Sequence, residues 1–366
     1  MNSNRRPWQL FWTGVVAVLL GCTQKNPVYC LAEADCSDVR FPHCDTSITR
    51  CVGPAGDGSE DEAYQVALYV GGEGCSDSSA GAATRPYCKI QEALKDPRAR
   101  NGALAIAAGT YAEDLVLDRD AILIGQPGAR IQTQSCPGIQ IYDGARVVLQ
   151  SLELTGQGGI RVSDRASAKI RKTHLHGTSC LGVDCREATC VITRNRIQSN
   201  SRGGVALSNS QFTMVNNLIA DNGSAGEFGG VHISAPQTGS VFDNNTVADN
   251  KTPEDVPGGI VCQSAVEIRN SILWQNGPEP EEKPADVSGP CTVRFSDVSQ
   301  DLSTLSGTSN LSIDPLFLPT DSDEYHLRPG SPCVDRGEAQ GAPTEDIDGN
   351  ARPKGNGVDI GAHEAA

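Results

Sequence analysis

The chain has 366 residues, of which 38% are hydrophobic and only 5% aromatic, with 39 Gly and 21 Pro. That composition is neither disordered nor collagen-like, and the length suits one large domain with appendages. A formal net charge of −15 repels phosphate backbones and argues against nucleic acid as a partner. Two Met and few aromatics argue against a Met-rich groove or a long base-stacking platform.

The N-terminus reads as an export signal over residues 1–21. Arg5 and Arg6 precede a mostly apolar run from Leu10 to Leu20, too short and too early for a committed membrane span. The run ends in Leu19-Leu20-Gly21-Cys22, which resembles a bacterial lipobox. That resemblance implies a diacylated Cys22 as the mature N-terminus. It also implies a membrane partner through the lipid and a place in the cell envelope, expected to be the outer membrane of a Gram-negative bacterium. Fourteen cysteines agree with an oxidising compartment.

Residues 22–52 form a small Cys-rich module. Cys30, Cys36, Cys44 and Cys51 lie in a stretch with no room for a hydrophobic core, so two local disulfides are the expected staple. A zinc knuckle would need a CxxC, which is absent. The module resembles small Cys-rich segments that open exported bacterial lipoproteins. Residues 53–63 are an acidic, Gly-rich linker.

The next segment, 64–300, carries an internal repeat. Residues 88–96 read as a short amphipathic helix with Ile90, Ala93 and Leu94 on one face, able to plug the end of an apolar column. Cys75 and Cys88 flank the loop before it and are expected to pair. Residues 103–107, 115–118, 121–124 and 129–132 read as strands. Gly followed by Ile or Val then recurs at Gly138, Gly159, Gly182, Gly204, Gly230 and Gly259. An independent column of the same period runs Leu154, Leu175, Ile197, Ile219, Val247 and Ile272. Two residues before it stand Leu152, Thr173, Asn195, Asn217, Asn245 and Asn270.

A period near 22 residues of short β-branched runs, without helical periodicity, predicts stacked coils: an all-β, right-handed parallel β-helix solenoid. It has an N-terminal capping helix, the small disulfide-rich module before it and a loop-rich C-terminal cap over residues 301–366. The Asn column predicts an internal ladder of side-chain amides. Asn222, by contrast, reads as turn chemistry. Insertions at 223–229, 251–258 and 277–286 are expected to leave from one corner and share one side. Cys262 and Cys291 fall at the starts of consecutive coils and are expected to bridge them.

The segment from Tyr69 to about Phe295 resembles the right-handed β-helix of the pectin lyase-like superfamily. The matching stretches are Tyr87 to Ala93, Ala107 to Tyr111 and Ile122 to Gly125. The tail resembles the choice-of-anchor Q domain of bacterial β-helix surface proteins. It matches at Ile313 to Phe317, Tyr325 to Leu327, Pro329 to Asp335, Asp346 to Pro353 and Asp359 to Glu364. The first resemblance implies fold alone, since that superfamily holds lyases, hydrolases, epimerases, adhesins and spacers.

No hydrolase motif of that superfamily, such as Asn-Thr-Asp or His-Gly-His, is present. His174 and His176 alternate on a strand and are expected to point outward together. Lys169, Arg171, Lys172, Arg194 and Arg196 read as a solvated basic face. The sharper constellation is Asp221, Asp249 and Trp274, which fall two residues after the aliphatic column. Two carboxylates one rung apart beside an indole suit a sugar ring, although the repeated Ala-Asp-Asn also reads as turn chemistry. In the tail, Asp346, Asp348 and Asn350 alternate as at the start of a calcium loop but lack its glycine, leaving Ca²⁺ as the one cofactor to consider. Cys333 has no nearby partner and is expected to be a buried free thiol.

These readings favour a non-catalytic, lipid-anchored envelope protein that binds glycan or another surface protein, with Asp221, Asp249 and Trp274 as the ligand-binding residues. The alternative is a polysaccharide lyase or glycoside hydrolase acting on acidic polysaccharide.

Overall fold

The chain divides into two compact units, Met1–Gly53 and Pro54–Ala366. The computed structural model describes residues 64–76, 78, 81–100, 102–253, 257–278, 286–320 and 323–365, together with the backbone of the strands His43–Asp45 and Arg50–Val52. Those two strands pair antiparallel. Cys22 and the disulfides expected among Cys30, Cys36, Cys44 and Cys51 lie outside the described residues.

In the second unit, short strands recur in a fixed order and stack in parallel into three sheets of 11, 9 and 8 strands. One coil runs from Ser167–Arg171 in the first sheet, through His174–His176 in the second, to Leu181–Arg186 in the third. Returning in parallel to the same sheet in this way gives a right-handed solenoid. Alternation sets the faces: in Ala129–Thr133 the first, third and fifth residues are buried and the others exposed. The inward residues stack like on like, as in Leu154, Leu175, Ile197, Ile219 and Val247. The helix Ile90–Leu94 buries Ile90, Ala93 and Leu94 against one end of this column. The expected bridges Cys75–Cys88 and Cys262–Cys291 are formed, and Cys136–Cys180 and Cys185–Cys190 add two that spacing did not suggest.

The corners explain the polar columns. Between first and second sheets each coil bends at one residue with positive φ: Ser151, Lys172, Arg194, Asn216, Asn244 and Asn270. A left-handed residue between two β-region neighbours turns the chain sharply, and after glycine Asn tolerates it well. The next residue points inward and hydrogen-bonds along the stack. Asn195 Nδ2 donates to Asn217 Oδ1 at 3.0 Å, and Asn217 Nδ2 to Asn245 Oδ1 at 2.9 Å. The ladder continues through Ser271, whose Oγ accepts from the Asn245 N–H.

Two expectations are corrected here. Val247 pairs with Leu273, not Ile272. The last coil is therefore shifted by one residue, and a one-residue shift exchanges inward and outward sides. Ser271 takes the ladder position, and Asn270 sits at the bend. Asn222 is no exposed turn residue either. It is fully buried in a second ladder at the next corner, running Asn200, Asn222, Asn250 and Asn276 to Asp286. Each Asn needs an acceptor ahead of it, and Asp286, with oxygens only, ends the row.

The tail is loop-rich and lies along the side of the later coils. The reason is written on the outer face of the second sheet. In register, Arg130, Glu153, His174 and Arg196 give way to Leu218, Thr246 and Ile272, while His176 and Gln198 give way to Ala220, Ala248 and Trp274. The apolar part would be a contiguous exposed patch. Tyr325, Ile347 and Ala362 cover Leu218, Ala220 and Ala248, and Leu327, Cys333 and Ile360 cover Ile272. Side chains at the first bends hook the tail: Asn216 Nδ2 donates to Glu345 O, and Asn244 Nδ2 to Asp359 O. Arg194 and Arg196 are therefore not a solvated face. Arg194 Nη1 lies 2.6 Å from Glu345 Oε2, and Arg196 pairs with Asp323 and Asp348.

Candidate functional site

Each residue proposed from sequence has a definite place. Asp221 and Asp249 occupy consecutive left-handed bends at the second corner, with φ of 57° and 53°. The Tyr325 hydroxyl donates to Asp249 Oδ2 at 3.0 Å. Burial, then the charges of Asp249 and Glu324, raise the Asp221 carboxyl. Trp274 does not share their column. Gln275 does, with φ 51°, and Trp274 is half-buried in packing against the clusters that hold Tyr325 and Leu327. An open aromatic shelf with two carboxylates is thereby replaced by a seam beneath the tail. The cause is the one-residue shift, together with apolar neighbours that need covering.

Asp346, Asp348 and Asn350 do not share a cation cage. Asp346 is fully buried and accepts the backbone N–H of Asp348, Asn350 and Glu364. Such bonds close a loop rather than leave oxygens for Ca²⁺. Asp348 faces a different group, formed with Asp323, His326 and His363, in which Asp323, His326 and His363 each place one ligand atom within 4.8 Å of the others. Burial opposes ionisation of Asp323, but the His326 hydrogen bond and nearby His363 outweigh it and hold the carboxyl far below its usual range. His174 and His176 point outward side by side, 4.2 Å between ring centroids, with His176 on Glu153. Cys333 is a buried free thiol, and donates to Asp297 Oδ2.

A concave surface lies elsewhere among the described residues, on the outer face of the third sheet. A groove of about 790 Å³ runs there, lined by Arg161, Asp184, Arg186, Arg202, Glu227, Phe228 and His232 among others. Its floor is built by register: Arg161, Asp184, Ala206 and His232 stand on consecutive rungs, about 4.8 Å apart. The insertion 223–229 forms one wall. It is held by Ala225 N–H to Ser201 O and Gly223 N–H to Asn200 O. The Phe228 ring lies so close to Gly203 (φ +132°) that a Cβ there would come within 2.7 Å of it, so only glycine serves. The insertion thus leans over the third sheet and not over the Asp221–Asp249 seam.

The groove's electrostatics come from one buried acid. Asp184 is 3% exposed, accepting Arg161 Nε at 2.9 Å on one oxygen and Arg186 Nε at 2.6 Å on the other. The two arginine side chains remain 40% and 55% exposed. Each guanidinium has five N–H donors in a planar fork, and Asp184 fixes both forks while neutralising only one charge. A local excess of positive charge on an acidic chain marks the place where an anion would be taken. Further along, the Phe228 and His232 rings lie 5.4 Å apart. Burial lowers the His232 pKa, with Glu227 opposing, which favours the neutral imidazole. Sequence reasoning missed these residues. The available signal was Asp184, a lone acid inside the apolar strand Leu181–Arg186.

Comparisons with known proteins agree with this architecture. Residues 130–295 match the family described as "Right handed beta helix region". No curated protein sequence matches the chain. Among solved structures, the chain is similar to one titled "Crystal structure of pectate lyase Pel9A", at 13% identity and a TM-score of 0.49, covering 85% of this chain and 100% of that one. It is also similar to a rhamnogalacturonan lyase, at 14% identity and a TM-score of 0.43, covering 70% of this chain and 92% of that one.

Proposed function

We propose that the protein is a lipid-anchored envelope protein that binds an extended acidic polysaccharide, without cleaving it, along the groove of the third sheet. The supporting observation is the pair of half-exposed guanidiniums of Arg161 and Arg186 fixed from below by buried Asp184. Planar forks held by the same acid, Arg161 from the neighbouring rung and Arg186 from the acid's own strand, suit sugar carboxylates, which accept paired N–H bonds. A groove running across successive coils suits a chain with a repeating charge. The lipobox resemblance at Cys22 supports the anchor, and an anchored protein would meet such polymers at the cell envelope.

Neutral His232 in the same groove favours a second reading, in which it abstracts the proton that initiates β-elimination. One experiment separates the two. The protein is titrated with an oligogalacturonate by calorimetry, and the mixture is then followed for the ultraviolet absorbance of unsaturated uronate. Binding without new absorbance supports the proposal. Absorbance that disappears in His232→Ala supports the lyase reading, and no heat at any salt concentration refutes both.

A further inference from the structure

His363 and His326 come from well-separated parts of the tail, yet their rings lie 3.9 Å apart between centroids. Asp323 and Asp348 face them. His326 Nε2 is 2.8 Å from Asp348 Oδ2, and His326 Nδ1 is 3.1 Å from Asp323 Oδ1. His363 Nε2 is 3.3 Å from Asp323 Oδ2 and 3.8 Å from Asp348 Oδ2. His363 is only 1% exposed, and neither of its ring nitrogens makes a hydrogen bond. A buried imidazole without a hydrogen bond is costly, and this one is aimed at two carboxylates.

We propose that His326, His363 and Asp323, with Asp348 at the rim, bind a divalent transition metal of the zinc class. The spacings fit. Ligand atoms about 2.0–2.2 Å from zinc in a tetrahedron stand about 3.3–3.6 Å apart; His326 Nδ1 is 3.1 Å from Asp323 Oδ1, His363 Nε2 is 3.3 Å from Asp323 Oδ2, and one ligand atom from each of the three residues lies within 4.8 Å of the others. Two imidazoles with carboxylates select zinc, nickel or copper over calcium and magnesium, which prefer all-oxygen sets. A metal would replace the proton shared by His326 Nδ1 and Asp323 Oδ1 and give His363 Nε2 the bond it lacks. His326 Nε2 would keep its bond to Asp348 Oδ2 at the rim, the outer-shell contact that fixes ring orientation. Arg196, at 3.0 Å from Asp323 Oδ2 and 2.8 Å from Asp348 Oδ1, would balance one carboxylate and tie the site to the solenoid. The ion would thus join three stretches of tail to one coil.

The test uses the full chain, stripped with EDTA, dialysed and titrated with Zn²⁺ alone. The site predicts one zinc per chain, a melting temperature raised by on the order of 5 °C at saturation, no comparable effect of Ca²⁺, and visible d–d bands of tetrahedral symmetry with Co²⁺. Losing an outer-shell partner already weakens zinc sites about 10–100-fold. His326→Gln and His363→Gln should therefore each weaken binding by about 100-fold or more. His176→Gln, at the other histidine pair, should leave it unchanged. If His363→Gln fails to fold by circular dichroism, Asp348→Asn at the rim decides, with an expected loss of about tenfold or more. Substoichiometric zinc in the wild type, zinc and calcium acting alike, or binding that survives His326→Gln and Asp348→Asn would overturn the proposal.

Discussion

Replacing Asn222 by Leu probes the second ladder at its centre, where the volume is kept and only polarity is lost. Asn222 Nδ2 donates to Ile197 O at 2.9 Å and to Asn250 Oδ1 at 3.0 Å. Its Oδ1 accepts from Asn200 N and Nδ2, at 3.0 and 2.9 Å. Leucine leaves the Asn200 N–H with no partner and strips one bond each from Asn200 Nδ2, Ile197 O and Asn250 Oδ1. Asn250 Oδ1 keeps the Asn222 backbone N–H and Asn200 Nδ2 keeps Leu175 O, so those two losses are partial. At about 1–3 kcal/mol per orphaned buried group, the expected destabilisation is about 3–5 kcal/mol. The exposed Gln211→Leu should change stability by less than about 0.5 kcal/mol. Urea unfolding followed by circular dichroism compares the two. Equal midpoints would refute the ladder as a source of stability.

Three other outcomes follow from the same structure. Burial raises the Asp297 carboxyl to about 6, so the folded state holds a proton more tightly than the unfolded chain. Relative to Asp297→Asn, wild-type stability should then fall by about 3 kcal/mol as pH rises from about 4 to 6 and stay level on either side, and a flat difference in urea melts across that range would refute it. Tyr325→Ala removes a 4%-exposed ring from the seam and should destabilise the tail by about 3 kcal/mol; limited proteolysis should then cut residues 301–366 before the coils, and cleavage no faster than in the wild type would contradict the seam. Cys22→Ser should release the protein from membranes to the soluble fraction, since about 0.8 kcal/mol per buried CH₂ holds an acyl anchor, whereas unchanged partitioning in fractionated cells would refute lipidation.

The solenoid was legible because stacking forces chemically similar residues to recur at one period. Leu175, Ile197 and Ile219 are in register as their spacing implies. The reading slipped at Asn270, where Asn-Ser offers two candidates for one ladder position and the preceding insertion obscures the count. Trp274 moved with it, out of the Asp221–Asp249 column. Asn222 was misread because the same Ala-Asp-Asn triplet that makes a turn also places its Asn on the inner wall. The docking of the tail had no periodic signature. It follows from the change from Arg196 to Leu218 along one outward column, which is visible only once the register is known. The groove arginines were hidden for a related reason: Arg161 and Arg186 lie 25 residues apart and converge only through the shared Asp184.

The most direct measurement of the central claim is the affinity of the wild type and Arg186→Gln for an acidic and a neutral oligosaccharide of equal length. Glutamine can still donate to Asp184, and Arg161 remains, so the fold is kept while one charge leaves the groove. The account predicts salt-sensitive binding of the acidic oligomer alone. It predicts a loss of about ten- to a hundredfold in Arg186→Gln at an unchanged melting temperature. Equal affinity of the two proteins for the acidic oligomer, or equal binding of the neutral one, would contradict it.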